Sequence, residues 1–231
     1  MKHYGKKYRA ALEKIGDTKK VFPLLEGVAL LLETSTTTFD ASAELHLKTG
    51  CNPKHADQIV RSTIVLPHGT GKTVRIAVFC EEPQVEKAKA AGADLAGGEE
   101  FIEEVAKGTV DFDIAIATPG MMKLLAKVAK VLGPKGLMPS PKSGTVTDNV
   151  TGAISDLKKG KIEFRTDKQG IIHSSFGKVS FGTTKLVENL KALVKAVSDA
   201  KPTGVKGTYL QSATVATTMG PGIKINFSEA V

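Results

Sequence analysis

The sequence has no tryptophan, only two cysteines, and aromatic residues amount to 5% of its 231 positions. Cys51 and Cys80 fit neither a metal-ligand spacing nor a disulfide framework, so both are expected as reduced thiols in a cytosolic protein. Long apolar runs are also missing. Even Val28 to Leu32, as long as any, falls far short of the ~20 residues that a bilayer requires. The basic N-terminus, Lys2 to Arg9, is not followed by the apolar stretch of a signal peptide. The expectation is a soluble, non-exported protein with no membrane partner.

Catalytic signatures are absent too. The histidines at 3, 46, 55, 68 and 173 are scattered, with no His-Glu-x-x-His and no Gly-x-Ser-x-Gly. His68-Gly69-Thr70-Gly71-Lys72-Thr73 approaches a phosphate-binding loop but fails its pattern: Leu66 stands where the first glycine belongs. The segment also precedes its strand instead of opening a helix, where backbone amides would cradle a phosphate. Glu99, Glu100, Glu103 and Glu104, spaced i, i+3, i+4, read as the exposed face of a helix. An enzyme acting on a nucleotide remains the alternative reading. Its strand-to-helix glycine loop is supplied by neither Gly92 nor Gly97-Gly98, and no cofactor, metal or catalytic residue is expected.

What is present is a globular composition, 41% hydrophobic and 24% charged, with a net charge of +8. Pro23 to Glu33 reads as a helix. From Thr38 to Thr49, Phe39, Ala41, Ala43, Leu45 and Leu47 alternate with Asp40, Ser42, Glu44, His46 and Lys48, the period of a half-buried strand. Alternation puts His46 on the polar face beside Glu44, as an imidazole that meets solvent or a partner rather than as a base. Ile59 to Leu66 reads as another strand, ended by the turn-rich Pro67 to Gly71. Val74 to Phe79 and Asp113 to Ala117 are apolar without alternation, as in strands covered on both faces. Helical patterns at Gln84 to Ala91, Glu99 to Lys107 and Met121 to Leu132 lie between and after them; in the last, Leu124, Val128 and Leu132 share a face. Lys161 to Arg165 and Gly170 to Ser174 flank a turn. A helix from Thr184 to Ala200 is stopped by Pro202, and Gly207 to Thr218 and Ile223 to Phe227 are strand-like.

Charge divides these blocks. Residues 1–67 and 158–231 carry 22 Lys and Arg against 12 Asp and Glu, whereas 68–157 carry 10 against 12. If the two ends form one domain with the middle inserted, a polyanion site belongs on the composite domain.

Several segments resemble the bacterial family of the first protein of the large ribosomal subunit, which forms its mobile stalk. They include Gly5-Lys6-Lys7-Tyr8-Arg9, Phe39-Asp40, Val65 to Lys72, Gly97-Gly98-Glu99-Glu100, Leu132 to Pro139, Ile162-Glu163-Phe164-Arg165, Lys206-Gly207-Thr208 and Thr218-Met219-Gly220-Pro221. The resemblance implies an α/β fold in two domains: a discontinuous α+β RNA-binding domain, 1–67 with 158–231, and an inserted Rossmann-like α/β domain, 68–157. It also implies binding to large-subunit rRNA, help in releasing deacylated tRNA from the exit site, and repression of the protein's own operon mRNA. The protein would be a monomer off the ribosome. Carried over by position, the RNA-contacting residues are Phe39, Glu44, Ser212, Thr218, Met219 and Gly220. Arg165 and Lys168 are expected to add phosphate contacts that position rather than specify. Gly220 would admit close backbone approach, and the hydroxyls of Ser212 and Thr218 would meet ribose 2′-hydroxyls. For Phe39, alternation alone allows a core position as readily as a ribose contact. Thr38 stands where the family commonly has lysine, Ala41-Ser42 where it has Glu-Thr, and Ser62 where it has glycine.

Overall fold

The computed structural model describes residues 5–108, 110–205 and 207–228. The described chain is a mixed α/β protein that divides into two compact units. One contains the described residues as far as Gly71 and those from Ile162 onward; the other is Lys72–Lys161. Counted on these spans, residues 1–71 with 162–231 hold 19 basic against 12 acidic side chains, and residues 72–161 hold 13 against 12.

The first unit begins with α1 (Lys6–Ile15), β1 (Val21–Phe22), α2 (Leu24–Glu33), β2 (Ser42–Thr49) and β3 (Arg61–Val65). After Pro23, Leu24, Val28 and Leu31 recur at helical spacing and are all buried. Gly27 lies on the same helix, and a Cβ there would stand 2.4 Å from Ile225 Cγ2, so its bareness lets α2 lie directly on the sheet. The Thr34 hydroxyl closes the last turn by donating to the Leu30 carbonyl at 2.7 Å.

The second unit is built on β4 (Ile76–Phe79), β5 (Leu95–Gly97) and β6 (Ile114–Ala117), parallel in the order β5-β4-β6. Between and after the strands come α3 (Glu82–Ala90), α4 (Glu99–Ala106), the short α5 (Met122–Leu125) and α6 (Ala129–Leu132), and α7 (Val150–Lys158). Alternate residues of one strand enter different cores. Ala77 and Phe79 pack with Ile102, Val105 and Leu125, whereas Ile76 and Val78 pack with Ala88, Ile154 and Leu157. That two-sided burial is why these strands read as unbroken apolar runs. The single helix expected over Met121 to Leu132 is instead broken by a 3₁₀ turn at Ala126–Val128. Val128 takes ψ 6°, and the tighter turn aims Met121, Leu125, Val128 and Leu132 into the core while Leu124 is only partly buried.

The chain returns to the first unit through β7 (Lys161–Arg165), β8 (Ile171–Lys178), α8 (Gly182–Asp199), β9 (Leu210–Thr217) and β10 (Ile223–Ile225). Its main sheet has the order β1-β10-β9-β2-β8. β2 lies between β8 and β9 and is antiparallel to both, and the β3-β7 pair is separate. From α8, Leu186, Leu190, Leu193, Val194 and Val197 pack with α2 against Leu45, Leu47, Ile172, Phe176, Val215 and Ile225. These helix residues cover the sheet face that carries the apolar side chains.

Candidate nucleic-acid interface

The opposite sheet face is polar. On β2, Ala43, Leu45 and Leu47 are buried while Ser42, Glu44 and His46 are partly exposed and Lys48 is exposed. Register extends this face across the neighbouring strands. Glu44 lies between Ser175 and Ala216, His46 between His173 and Thr214, and Lys48 between Ile171 and Ser212. Thr214 in turn pairs with Lys224, and Lys224 with Val21. Lys48 and Lys224 are exposed cations of this face. The Lys178 ammonium is tied to the Asp40 carbonyl at 3.1 Å.

One end of the face is marked by exposed apolar side chains. The Thr218 N–H donates to the Ser42 carbonyl at 3.0 Å, and the Ser42 N–H donates back to Thr218 Oγ1 at 3.1 Å. This joins the start of β2 to the end of β9, so Phe39 and Met219 emerge at the same end. Phe39 is 58% exposed and Met219 74%. The core position that alternation allowed for Phe39 is therefore excluded. Asp40 holds that loop down, accepting from the Ser180 N–H at 3.1 Å and the Ser180 hydroxyl at 2.8 Å.

Met219 has φ 67°, the one positive φ among the described non-glycine residues. Gly220 N–H donates to the Thr217 carbonyl at 2.8 Å, closing a turn that holds Met219 in the left-handed region. That conformation costs a non-glycine residue about 1–2 kcal/mol, and a side chain left mostly in solvent returns nothing to the fold for it. Gly220 has a role inside the turn itself, since a Cβ there would lie 2.2 Å from Thr217 Oγ1. The Thr218 hydroxyl likewise serves the fold, because it accepts the Ser42 N–H. Thr218→Val should cost about 1 kcal/mol of stability, read by denaturant unfolding; an unchanged midpoint would mean that water replaces the lost acceptor.

The expected site residues are not all brought together. Glu44 joins Phe39, Thr218, Met219 and Gly220 near one end of β2, and Glu44 is half-buried on the open face. Ser212 lies near the other end, beside Lys48. Lys168 is in the turn that leads into β8, where the Gly170 carbonyl accepts from the Thr49 N–H at 2.9 Å. The two ends are about 23 Å apart at the usual rise per residue. Arg165 is exposed on β7, outside the five-stranded sheet.

Two histidines stand opposite each other, midway along β2 and on the edge strand β8. Nδ1 of His46 lies 2.8 Å from Nδ1 of His173, and Nε2 of His173 lies 3.5 Å from Asp167 Oδ2. Burial, then the neighbouring His173, pulls the His46 imidazole below its ordinary range, with Glu44 opposing. Asp167 is held below the usual carboxylate range first by the Ile171 N–H and also by the Gln169 N–H, each donating at 2.8 Å. Alternation disclosed His46, but its pairing with His173, Thr214 and Lys224 depends on strand register.

The second unit offers a cavity of about 780 Å³ at the carboxyl ends of its strands. Glu81, Glu82, Asp94, Glu99, Glu100 and Glu104 line it, with Lys89 the single cation among its described lining residues. Such a wall repels phosphate, which argues against a nucleotide site there. Among the described residues no cluster of His, Cys, Asp or Glu could hold a metal ion, and no helix is long and apolar enough to cross a membrane.

A family model described as the ribosomal protein L1p/L10e family matches residues 31–221. The large ribosomal subunit protein uL1 of Fervidobacterium nodosum is 49% identical over 229 residues, covering 99% of this chain and 97% of that protein. The chain belongs to the ribosomal protein L1p/L10e family, and it is a ribosomal protein of the cytoplasm rather than an enzyme.

Proposed function

We propose that this protein is a constituent of the large ribosomal subunit that binds large-subunit rRNA through the open face of its five-stranded sheet. The observation that carries this reading is the asymmetry of the sheet. One face is buried under α2 and α8; the other presents Ser42, Glu44, His46, Lys48, Ser212 and Lys224, with exposed Phe39 and a strained, exposed Met219 at its end. Hydroxyls suit the 2′-hydroxyls of RNA, an exposed aromatic suits a ribose or base, and lysines suit phosphates. The unit composed of both chain ends is the RNA-binding domain on this reading, and the inserted parallel α/β unit is not required for the contact. As a stalk protein it would assist release of deacylated tRNA from the exit site, and the same face would bind its own operon mRNA and repress its translation. It works as a monomer off the ribosome.

Filter binding of the whole protein to a transcript of the large-subunit rRNA, a random RNA and duplex DNA over a salt series tests the reading. The ribosomal transcript should bind at least 100-fold tighter than either competitor, roughly 2.7 kcal/mol. Lys48→Ala and Lys224→Ala should each make the slope of log affinity against log salt shallower by about 0.7–0.9, the release of one phosphate's counterion. Equal affinity for all three nucleic acids would reduce the protein to a general polyanion binder.

A further inference from the structure

We propose that His46 and His173 form a proton-gated phosphate contact between β2 and the edge strand β8 on the open face, an inference that rests on the RNA interface proposed above. The two imidazoles stand opposite each other on β2 and β8, their ring centroids 5.0 Å apart and their planes at 63°. With the Nδ1 atoms 2.8 Å apart, one nitrogen must carry a proton and the other must accept it. Two imidazolium rings in that pose would aim N–H at N–H. The free protein therefore holds the pair with at most one positive charge, and a second proton requires the contact to open.

The surroundings decide what would accompany that proton. On β2, Glu44 and Lys48 lie two residues to either side of His46. The turn before β8 brings Asp167 and Lys168, and β8 ends in Lys178. Strand β9 brings no titratable group between Leu210 and Thr217, and beyond it Lys224 continues the row His173-His46-Thr214. Asp167 already faces His173 through Nε2, so the carboxylates at hand are Asp167 on one flank and Glu44 beside His46. A doubly protonated pair adds a second charge to a row that already ends in an ammonium. A phosphate seated over the row supplies the missing counter-charge and accepts the freed N–H groups.

Phosphate binding and proton uptake then reinforce one another, as linked equilibria must. Burial and its partner ring lower the proton affinity of His46 in the free protein, and a bound phosphate raises it, so the bound state has the higher proton affinity. Affinity for RNA should rise as pH falls through the pKa of the bound pair, and level off below the pKa of the free pair.

The test uses the whole protein and a transcript of the large-subunit rRNA from the organism that encodes it. Affinity is measured from about pH 8 to about pH 5.5 at fixed salt. One linked proton gives at most about a tenfold change per pH unit, so the wild type should gain about 10- to 30-fold across that range. His46→Gln and His173→Gln, each checked for a wild-type melting curve, should flatten the profile, bringing the ratio of affinities at pH 5.5 and pH 8 to within about threefold of one. His173 is half-exposed, so its variant keeps the test available should His46→Gln unfold. Tight binding at pH 8 without any gain on acidification overturns the inference and leaves the RNA interface standing. A gain that persists in both variants also overturns it, by assigning the proton to the RNA or to another group. No preference for the ribosomal transcript at any pH overturns the interface, and the inference with it.

Discussion

Replacing Asn189 by leucine should destabilise the first unit by about 3 kcal/mol. Asn189 is fully buried on α8, yet its side chain hydrogen-bonds off the helix. Its Oδ1 accepts from the His68 N–H at 3.0 Å, and its Nδ2 donates to the Gly69 carbonyl at 3.0 Å and the Phe176 carbonyl at 2.8 Å. One side chain thus ties β8 to the loop by which the chain leaves the first unit. Glu188 beside it holds the His68 imidazole. Leucine has the same branched skeleton of four heavy side-chain atoms and leaves no cavity, so the loss measures the orphaned groups together with the fit of its bulkier methyls. Each buried group left without a partner costs about 1–3 kcal/mol, and those near the surface regain water. The melting temperature should fall by about 6–12 °C for a chain of this size.

Asn189→Asp sharpens the test. It keeps an acceptor for the His68 N–H but sets a carboxylate against two carbonyl oxygens. Such an acid has a folded pKa raised above its unfolded value, so it contributes stability at low pH that is lost as pH rises through the folded pKa. The aspartate variant should therefore gain on the wild type as pH is lowered toward 5. Parallel stability curves for the two proteins would mean that the clamp does not reach the buried interior.

Legibility in the sequence followed how far each feature depends on distant residues. The alternation from Thr38 to Thr49 gave β2 and its polar face directly, because a strand with one covered face must alternate. The helix ending before Pro202 was equally plain. Shorter elements were not. β1 has two residues and β5 three, Leu95-Ala96-Gly97, too few to show any period. α7, Val-Thr-Gly-Ala-Ile-Ser-Asp-Leu-Lys, combines β-branched residues with a glycine, and its intrinsic helix preference is poor. It forms because Asn149 caps it, accepting from the Gly152 N–H at 3.1 Å, and because Ile154 and Leu157 are buried against the parallel sheet. The basic segment at the N-terminus stands out by its charge and by its resemblance to the family, neither of which announces the helix α1 that it forms from Lys6, with Ala11 and Ile15 buried. For the site, the resemblance supplied residue positions but neither the spacing between them nor the engaged state of the Thr218 hydroxyl. His46 and His173 are 127 residues apart, and no local pattern announces that register will set them side by side.

The strain at Met219 leads to the last expectation, in which stability and binding move in opposite directions. Glycine adopts a positive φ without the clash that Cβ brings, so Met219→Gly should relieve most of the left-handed penalty. Some of that gain is offset by the extra freedom of glycine in the unfolded chain, leaving a net stabilisation of about 0.5–1 kcal/mol. The same change deletes an apolar side chain that is 74% exposed and lies at the same end of the sheet as Phe39. If RNA covers that end, the thioether is buried on binding and its loss should weaken affinity about tenfold, or 1.4 kcal/mol. Because no charge is removed, the salt slope should be unchanged. Phe39→Ala should give a loss of similar size with no gain in stability, since an exposed ring contributes little to the core. A Met219→Gly protein that binds as tightly as the wild type would show the turn to be structural and remove this end from the interface. A less stable one would show that the methionine packs more than its exposure implies, and that the strain is balanced within the free protein rather than by its partner.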